Sequence, residues 1–243
     1  MKVNLIDYTQ DAVEKLIYTK STRLTLGKDT REKIQAMDEY EQSQELIYMA
    51  ATIPSSWEFV NYTFEILDVS RAFTHQFVRT RTGSYAQQTM RMLNMERFKY
   101  VTGPTIESDP ARKNIYDKCM ADINAAYQAL VEMGAEVEDA RGILPTNICT
   151  NIIAQFSLRT LSEMAKSRTG GRTQGEYRQV MQAMADAVIE VHPWAELFLY
   201  PNVSKQVKKL EEFIEQLLAE GKITKEERFN ALKTFDTIKR RVK

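Results

Sequence analysis

Histidine and cysteine are scarce in this chain, with two of each among 243 residues. Proton transfer by side chains is therefore thinly supplied. No Ser/His/Asp constellation, Walker-type phosphate loop or metal cluster can be assembled from the sequence. His192, followed by Pro193 and Trp194, has no Cys or acidic partner at ligand spacing and reads as a packed turn, so no metal site is expected. Cys119 and Cys149 lie far apart in apolar surroundings, which reads as buried thiols in a reducing cytoplasm. Net charge is also missing: Lys plus Arg and Asp plus Glu stand at 33 each. That balance weighs against a protein that coats nucleic acid or an anionic membrane. No apolar run approaches the roughly 18 residues of a spanning helix. The opening MKVNLIDY alternates like a strand and does not resemble a signal peptide.

Against this neutral background, one stretch concentrates charge of a single sign. Between Asp68 and Glu96 no acidic residue occurs, while Arg71, Arg79, Arg81 and Arg91 do. Arginine offers a planar fork that matches phosphate or carboxylate oxygens two at a time, and Gln76, Ser84, Gln87, Gln88 and Thr89 lie beside it, so the stretch describes an anion-binding surface. Arg71, His75 and Arg79 recur at helical spacing on one face, with Phe73 and Phe77 on a face that can be buried. The helix should end near Arg79. Thr80, Thr82 and Gly83 break the pattern, and residues 84–91 read as a loop or extended run. Salt bridges between helices are the plainer alternative use of these arginines.

The rest of the chain frames that stretch. A strand is expected over residues 3–6, helices over 11–22 and 31–51, and a strand over 57–66, rich in aromatic and β-branched residues, that feeds the arginine-bearing helix. Residues 97–102 read as a return strand. A long amphipathic helix over 109–133 places Ile115, Cys119, Ile123, Tyr127 and Leu130 or Val131 on one core-facing stripe. A short helix over 137–141, a strand over 147–156 and helices over 158–166 and 174–190 follow. From residue 203 the composition turns to a charged helical hairpin, with Val207, Leu210, Phe213, Ile214, Leu217 and Leu218 as its stripe and a Thr224–Glu227 capping box. The division expected is therefore a main domain over 1–202 and a helical extension over 203–243.

A second basic region surrounds Gly170 and Gly171. Lys166, Arg168 and Arg172 flank them with no acid between Glu163 and Glu176, so backbone N–H groups and a helix N-terminus near Thr173 could bind an anion there. A simple turn between helices is the alternative.

The run Val69-Ser70-Arg71-Ala72, then His75-Gln76, Arg79-Thr80-Arg81, Ser84-Tyr85, Gln87-Gln88-Thr89 and Arg91, resembles the signature of the flavin-dependent thymidylate synthases. Arg141 before an Ile-Leu-Pro segment, and Arg168 after the following helix, extend the resemblance over roughly residues 1–200. It implies an α/β (α+β) fold with an antiparallel sheet packed by long helices, assembled as a homotetramer with flavin sites between subunits. It implies reductive methylation of dUMP, with FAD as cofactor and NADPH and methylenetetrahydrofolate as co-substrates. Gln76, Arg79, Gln87, Gln88, Thr89, Met90, Arg91, Arg141 and Arg168 would line the nucleotide, with Arg168 catalytic. Ser55, Arg79, Thr80, Arg81, Gln87, Ser157, Leu158, Arg159 and Glu163 would line the flavin. Departures are visible: Thr80 and Ile53 stand where relatives have histidine, Thr89 serine, Glu163 asparagine and Met92 tyrosine. A carboxylate at Glu163 would disfavour an electron-rich reduced flavin unless Lys166 or an arginine neutralises it. A relative that methylates or hydroxymethylates another pyrimidine nucleotide such as dCMP, and a non-enzymatic nucleotide binder, remain open.

Overall fold

Alternating burial builds the sheet. The structure is a computed structural model and describes residues 1–22, 29–93, 95, 97–168, 173–200 and 212–231. β1 (Lys2–Tyr8), β2 (Asn61–Ser70), β3 (Ser84–Gln87) and β4 (Cys149–Ser157) form one antiparallel sheet in the order β1-β2-β4-β3. In β2, Tyr62, Phe64 and Ile66 are buried while Asn61, Thr63 and Glu65 are half-exposed. β4 repeats this, with Ile152, Ala154 and Phe156 inward and Ile153 and Gln155 outward. One face of the sheet is therefore apolar and the other carries mainly amides, hydroxyls and Glu65.

The helices are α1 (Ala12–Ser21), α2 (Thr30–Gln35), α3 (Glu39–Thr52), α4 (Arg71–Phe77), α5 (Pro104–Glu107), α6 (Pro110–Glu132), α7 (Val137–Ala140), α8 (Leu158–Arg168), α9 (Gly175–Val191) and α10 (Glu196–Leu199). α9 packs on β1 and β2 and against α4 and α8. It buries Tyr177, Val180, Met181, Met184, Ala185 and Val188, which recur at helical spacing. His192 closes this helix, its Nδ1 3.0 Å from the Tyr62 hydroxyl and its ring stacked on Trp194, and burial lowers its pKa.

Several sequence expectations are corrected. The helix expected over 31–51 is two, because Asp38 accepts from the Glu41 N–H and Glu41 reaches back to the Asp38 N–H, a capping box that starts α3 afresh. Residues 57–59 are not strand. They finish a 3-10 helix, Pro54–Phe59, in which Trp57 is buried with its indole N–H on the Met49 carbonyl and its ring edge-on to Phe198. The expected return strand over 97–102 shrinks to a single bridge between Tyr100 and Ile148. The stripe assigned to the long helix holds only in part: Tyr127 is buried as expected, but Ile115 is 72% exposed and Cys119 exposed, while Met120, off that stripe, is buried. Cys119 is thus not a buried thiol; Cys149 is half-buried.

The chain divides into two compact units, Met1–Leu199 and Tyr200–Lys243. In the second unit, residues 212–219 and 225–231 are helical, Gly221 takes a left-handed φ of 69°, and Thr224 and Glu227 form a capping box. An Arg228–Glu215 ion pair joins the two segments. Val207 and Leu210 lie outside the described residues. Among the described residues, no helix is long and apolar enough to cross a membrane.

Candidate functional site

The arginine-bearing helix is aimed by a bulge. The β2–β4 register shifts between Ile66 and Val69, where Asp68 adopts a φ of 53° and donates its N–H to the Asn151 side chain at 3.0 Å. Short polar residues tolerate this left-handed conformation better than branched ones do. The strand then runs straight into α4, whose N-cap is Ser70, with Phe73 and Phe77 wholly buried and His75 outward. Beyond α4, the Tyr85 hydroxyl donates to the Thr80 carbonyl at 2.7 Å and lies 3.1 Å from the Phe77 carbonyl. Burial pushes the Tyr85 phenol up to about 12, so it stays a protonated donor at neutral pH. That contact satisfies carbonyls at the helix end and leaves Arg79 and Arg81 exposed. Gly83 permits the tight return: a Cβ there would stand 2.3 Å from the Phe156 ring.

Side chains then gather into three groups. In the first, Arg71 donates from Nη2 to the Gln88 carbonyl at 2.9 Å, while its buried Nε has no partner among the described residues. Burial lowers the Arg71 pKa and repulsion from Arg141 adds to it, although an arginine stays charged. Arg141 donates from Nε to the Glu138 carbonyl at 3.0 Å. Arg91 pairs with the Glu138 carboxylate at 2.6 Å, and the Arg91 N–H bonds the Thr89 hydroxyl. Met90 lies half-exposed in the same segment, after the strand has ended.

In the second group, Gln76 donates to the Gln174 side chain at 2.8 Å, and Gln87 donates to the Thr74 hydroxyl at 2.9 Å. Arg168 lies over the ring of Tyr177, 5.1 Å from its centroid. Gly170, Gly171 and Arg172, offered above as an anion loop, fall outside the described residues.

The third group lines a cavity of about 510 Å³ on the polar face of the sheet. Strand register builds it: Asn61 faces Ser157 and Ser84 faces Gln155 across neighbouring strands. Arg159 and Glu163 add the first turns of α8, and Glu58 closes the rim. Arg159 bonds Glu58 at 2.6 Å and Glu163 at 3.1 Å. Glu163 is therefore neutralised by Arg159, whereas Lys166 sits over Trp57. The Leu158 side chain is wholly buried and its N–H is taken by the Val60 carbonyl, so it backs the cavity wall. Ser55 lies in the preceding 3-10 helix.

A family model for the thymidylate synthase complementing protein matches residues 4–194. This chain belongs to that family. The flavin-dependent thymidylate synthase of Sulfurisphaera tokodaii is 32% identical over 208 residues, which cover 83% of this chain and 79% of the relative. That of Nitratidesulfovibrio vulgaris is 34% identical over 174 residues, 67% of this chain and 70% of the relative. That of Clostridium tetani is 29% identical over 221 residues, 84% and 88% respectively.

Within this thymidylate synthase complementing framework, the donor set suits a flavin nucleotide. No carboxylate among the described residues pairs with Arg79 or Arg81, and the adjoining cavity offers hydroxyl and amide groups beside Glu58 and Glu163, both paired with Arg159. Of the residues gathered here, the sequence points to Arg71, which stands in the arginine run, but not to Glu58, Asn61, Gln155 or Tyr177. Asn61 and Gln155 could have been found from the period of two along β2 and β4. Nothing local marks Tyr177, which meets α4 only through the tertiary fold.

Proposed function

We propose that this protein is a flavin-dependent thymidylate synthase, converting dUMP to dTMP with methylenetetrahydrofolate as carbon donor and NADPH as reductant. The observation that carries the reading is the set Arg71, Arg79, Arg81 and Arg168, four guanidinium groups with no carboxylate partner among the described residues, grouped around α4 and α9. Uncompensated arginines near neutral amides suit a small phosphorylated ligand. The family and the names of its relatives supply which ligand.

Arg91 holds the nucleotide phosphate with Arg71 beside it, Arg141 contacts the base, and Gln88, Thr89 and Met90 shape that loop. Gln76 and Gln87 border the nucleotide beside them. Arg79 and Arg81 hold the flavin pyrophosphate, with Thr80 between them. Ser55, Ser157, Arg159 and Glu163 line the rest of the flavin site, backed by Leu158. A flavin bound there supplies the hydride that completes the methyl group. Arg168 places a permanent positive charge where negative charge develops on the activated pyrimidine ring. No step is assigned to cysteine: Cys119 is exposed on α6, and burial raises the Cys149 thiol pKa.

The same reading includes a homotetramer in the reducing cytoplasm, with the 203–243 extension as a helical hairpin outside the 1–202 main domain. One observation supports shared sites. Ile153 is 42% exposed on the polar face of the sheet, beside an open hollow lined by Glu65, Leu67, Ala86, Gln88, Asn151 and Ile152.

Titration with FAD, followed by flavin fluorescence, tests the cofactor, and light scattering on a sizing column tests the assembly. Saturable quenching and a tetramer mass are expected. Folded protein that leaves FAD fluorescence unchanged, or elutes as a monomer at micromolar concentration, contradicts the reading.

A further inference from the structure

Arg168 is the last residue of α8, so its backbone is fixed on one side only by helix. Its guanidinium is held from below by the Tyr177 ring at 5.1 Å. Tyr177 is wholly buried, and Phe73 and Phe77 meet its ring nearly edge-on, with centroids 5.2 and 5.9 Å away. The first turn of α9, which carries Tyr177, is fastened to α4 at two further points. Gln174 accepts from Gln76, and the Glu176 carboxylate accepts from both the N–H and the hydroxyl of Ser70. The platform beneath Arg168 is thus anchored to the helix that bears Gln76. Arg168 meets the ring face, and among the described residues the buried Tyr177 hydroxyl has no hydrogen-bond partner.

We propose that Tyr177 is a positioning residue for Arg168: its ring face sets the plane of the guanidinium toward the pyrimidine, and its hydroxyl takes no part. This rests on Arg168 acting on the ring as described above. A planar fork stacked on an aromatic face keeps one orientation, whereas the same fork on a flexible aliphatic chain samples many. Loss of that orientation weakens an interaction made in the transition state and leaves ground-state binding largely intact.

The test is a double-mutant cycle on turnover with dUMP, FAD, methylenetetrahydrofolate and NADPH, paired with the dUMP dissociation constant. Tyr177→Phe keeps turnover within about twofold of the parent, because the ring face remains. Tyr177→Met, which fills a similar volume without a π face, lowers turnover by about tenfold and changes dUMP affinity by less than about threefold. In an Arg168→Lys background, Tyr177→Met costs nothing further. An equal cost in both backgrounds, or a loss beyond about fivefold in Tyr177→Phe, overturns the proposal. Full turnover in Arg168→Lys alone overturns the reading of Arg168 first, and this proposal with it. The Arg168 Nε–H resonance, assigned by its loss in Arg168→Lys, gives a check that needs neither activity nor the Met variant. It lies upfield in the parent and in Tyr177→Phe; a resonance at the ordinary exposed-arginine position overturns the proposal.

Discussion

Ser70 and Glu176 are joined twice: the Ser70 N–H donates to one carboxylate oxygen of Glu176 at 2.7 Å and the Ser70 hydroxyl to the other at 2.5 Å. The same hydroxyl accepts from the Phe73 N–H, so one serine caps α4 and moors α9 to it. Glu176→Ala leaves the Ser70 donors without their charged acceptor and should destabilise the protein by about 1.5–3 kcal/mol. Urea unfolding followed by circular dichroism measures this. An unchanged midpoint would show that water replaces the carboxylate at no cost.

Gly83 sits where the chain turns back over Phe156, and a Cβ there would also stand 2.9 Å from the Tyr85 hydroxyl that closes α4. Gly83→Ala would force a methyl group against an aromatic ring packed on Phe77 and Tyr85. A loss of about 1–3 kcal/mol is expected, the range for overpacking a tight site. Chemical unfolding checks it, and a stability equal to that of the parent would mean that the turn has room the structure does not show.

Arg159 pairs with two carboxylates at once on the cavity rim, which leaves the trio one negative charge in excess. Arg159→Ala leaves Glu58 and Glu163 uncompensated beside the anionic flavin nucleotide and should weaken FAD binding by about tenfold, with part of the loss recovered at high salt. Adding Glu163→Asn should restore affinity. Fluorescence titration of the single and double variants decides this, and an Arg159→Ala affinity equal to that of the parent would remove the triad from the flavin site.

The two thiols should separate by pH. Burial raises the Cys149 pKa, and the charges of Asp68 and Glu176 push it further in the same direction. A raised pKa means less thiolate at any given pH, so alkylation of Cys149 needs more alkaline solution than an ordinary thiol does. Mass spectrometry of protein treated with iodoacetamide between pH 7 and 9.5 should find Cys119 modified first. Equal rates at both cysteines would contradict the burial seen here.

How much of this could be read from sequence differed by element. The charge run and the Phe73–Phe77 spacing placed α4 and its orientation, because helix period and buried aromatics agree there. Residues 57–59 were misjudged because their strand-forming composition was overridden by Pro54 and by the place prepared for Trp57 against Met49 and Phe198. On α6 the core is legible at Tyr127 but not at Met120, because Ile115 and Leu130 look like core yet stay exposed. Arg168 stood out as a residue type in a basic loop. Its seat on Tyr177 did not, since that contact exists only once α8 and α9 pack together.

Methylation of dUMP, with Arg168 stabilising charge on the ring, is checked by tritium release from C5-labelled dUMP with saturating methylenetetrahydrofolate, NADPH and FAD. The parent protein should release tritium, and Arg168→Lys should lose at least about tenfold in turnover while dUMP affinity changes less, because lysine keeps the charge but not the planar fork. Arg91→Lys should instead weaken dUMP binding and leave turnover near that of the parent. Release from labelled dCMP but not from dUMP, or full turnover in Arg168→Lys, would contradict the account.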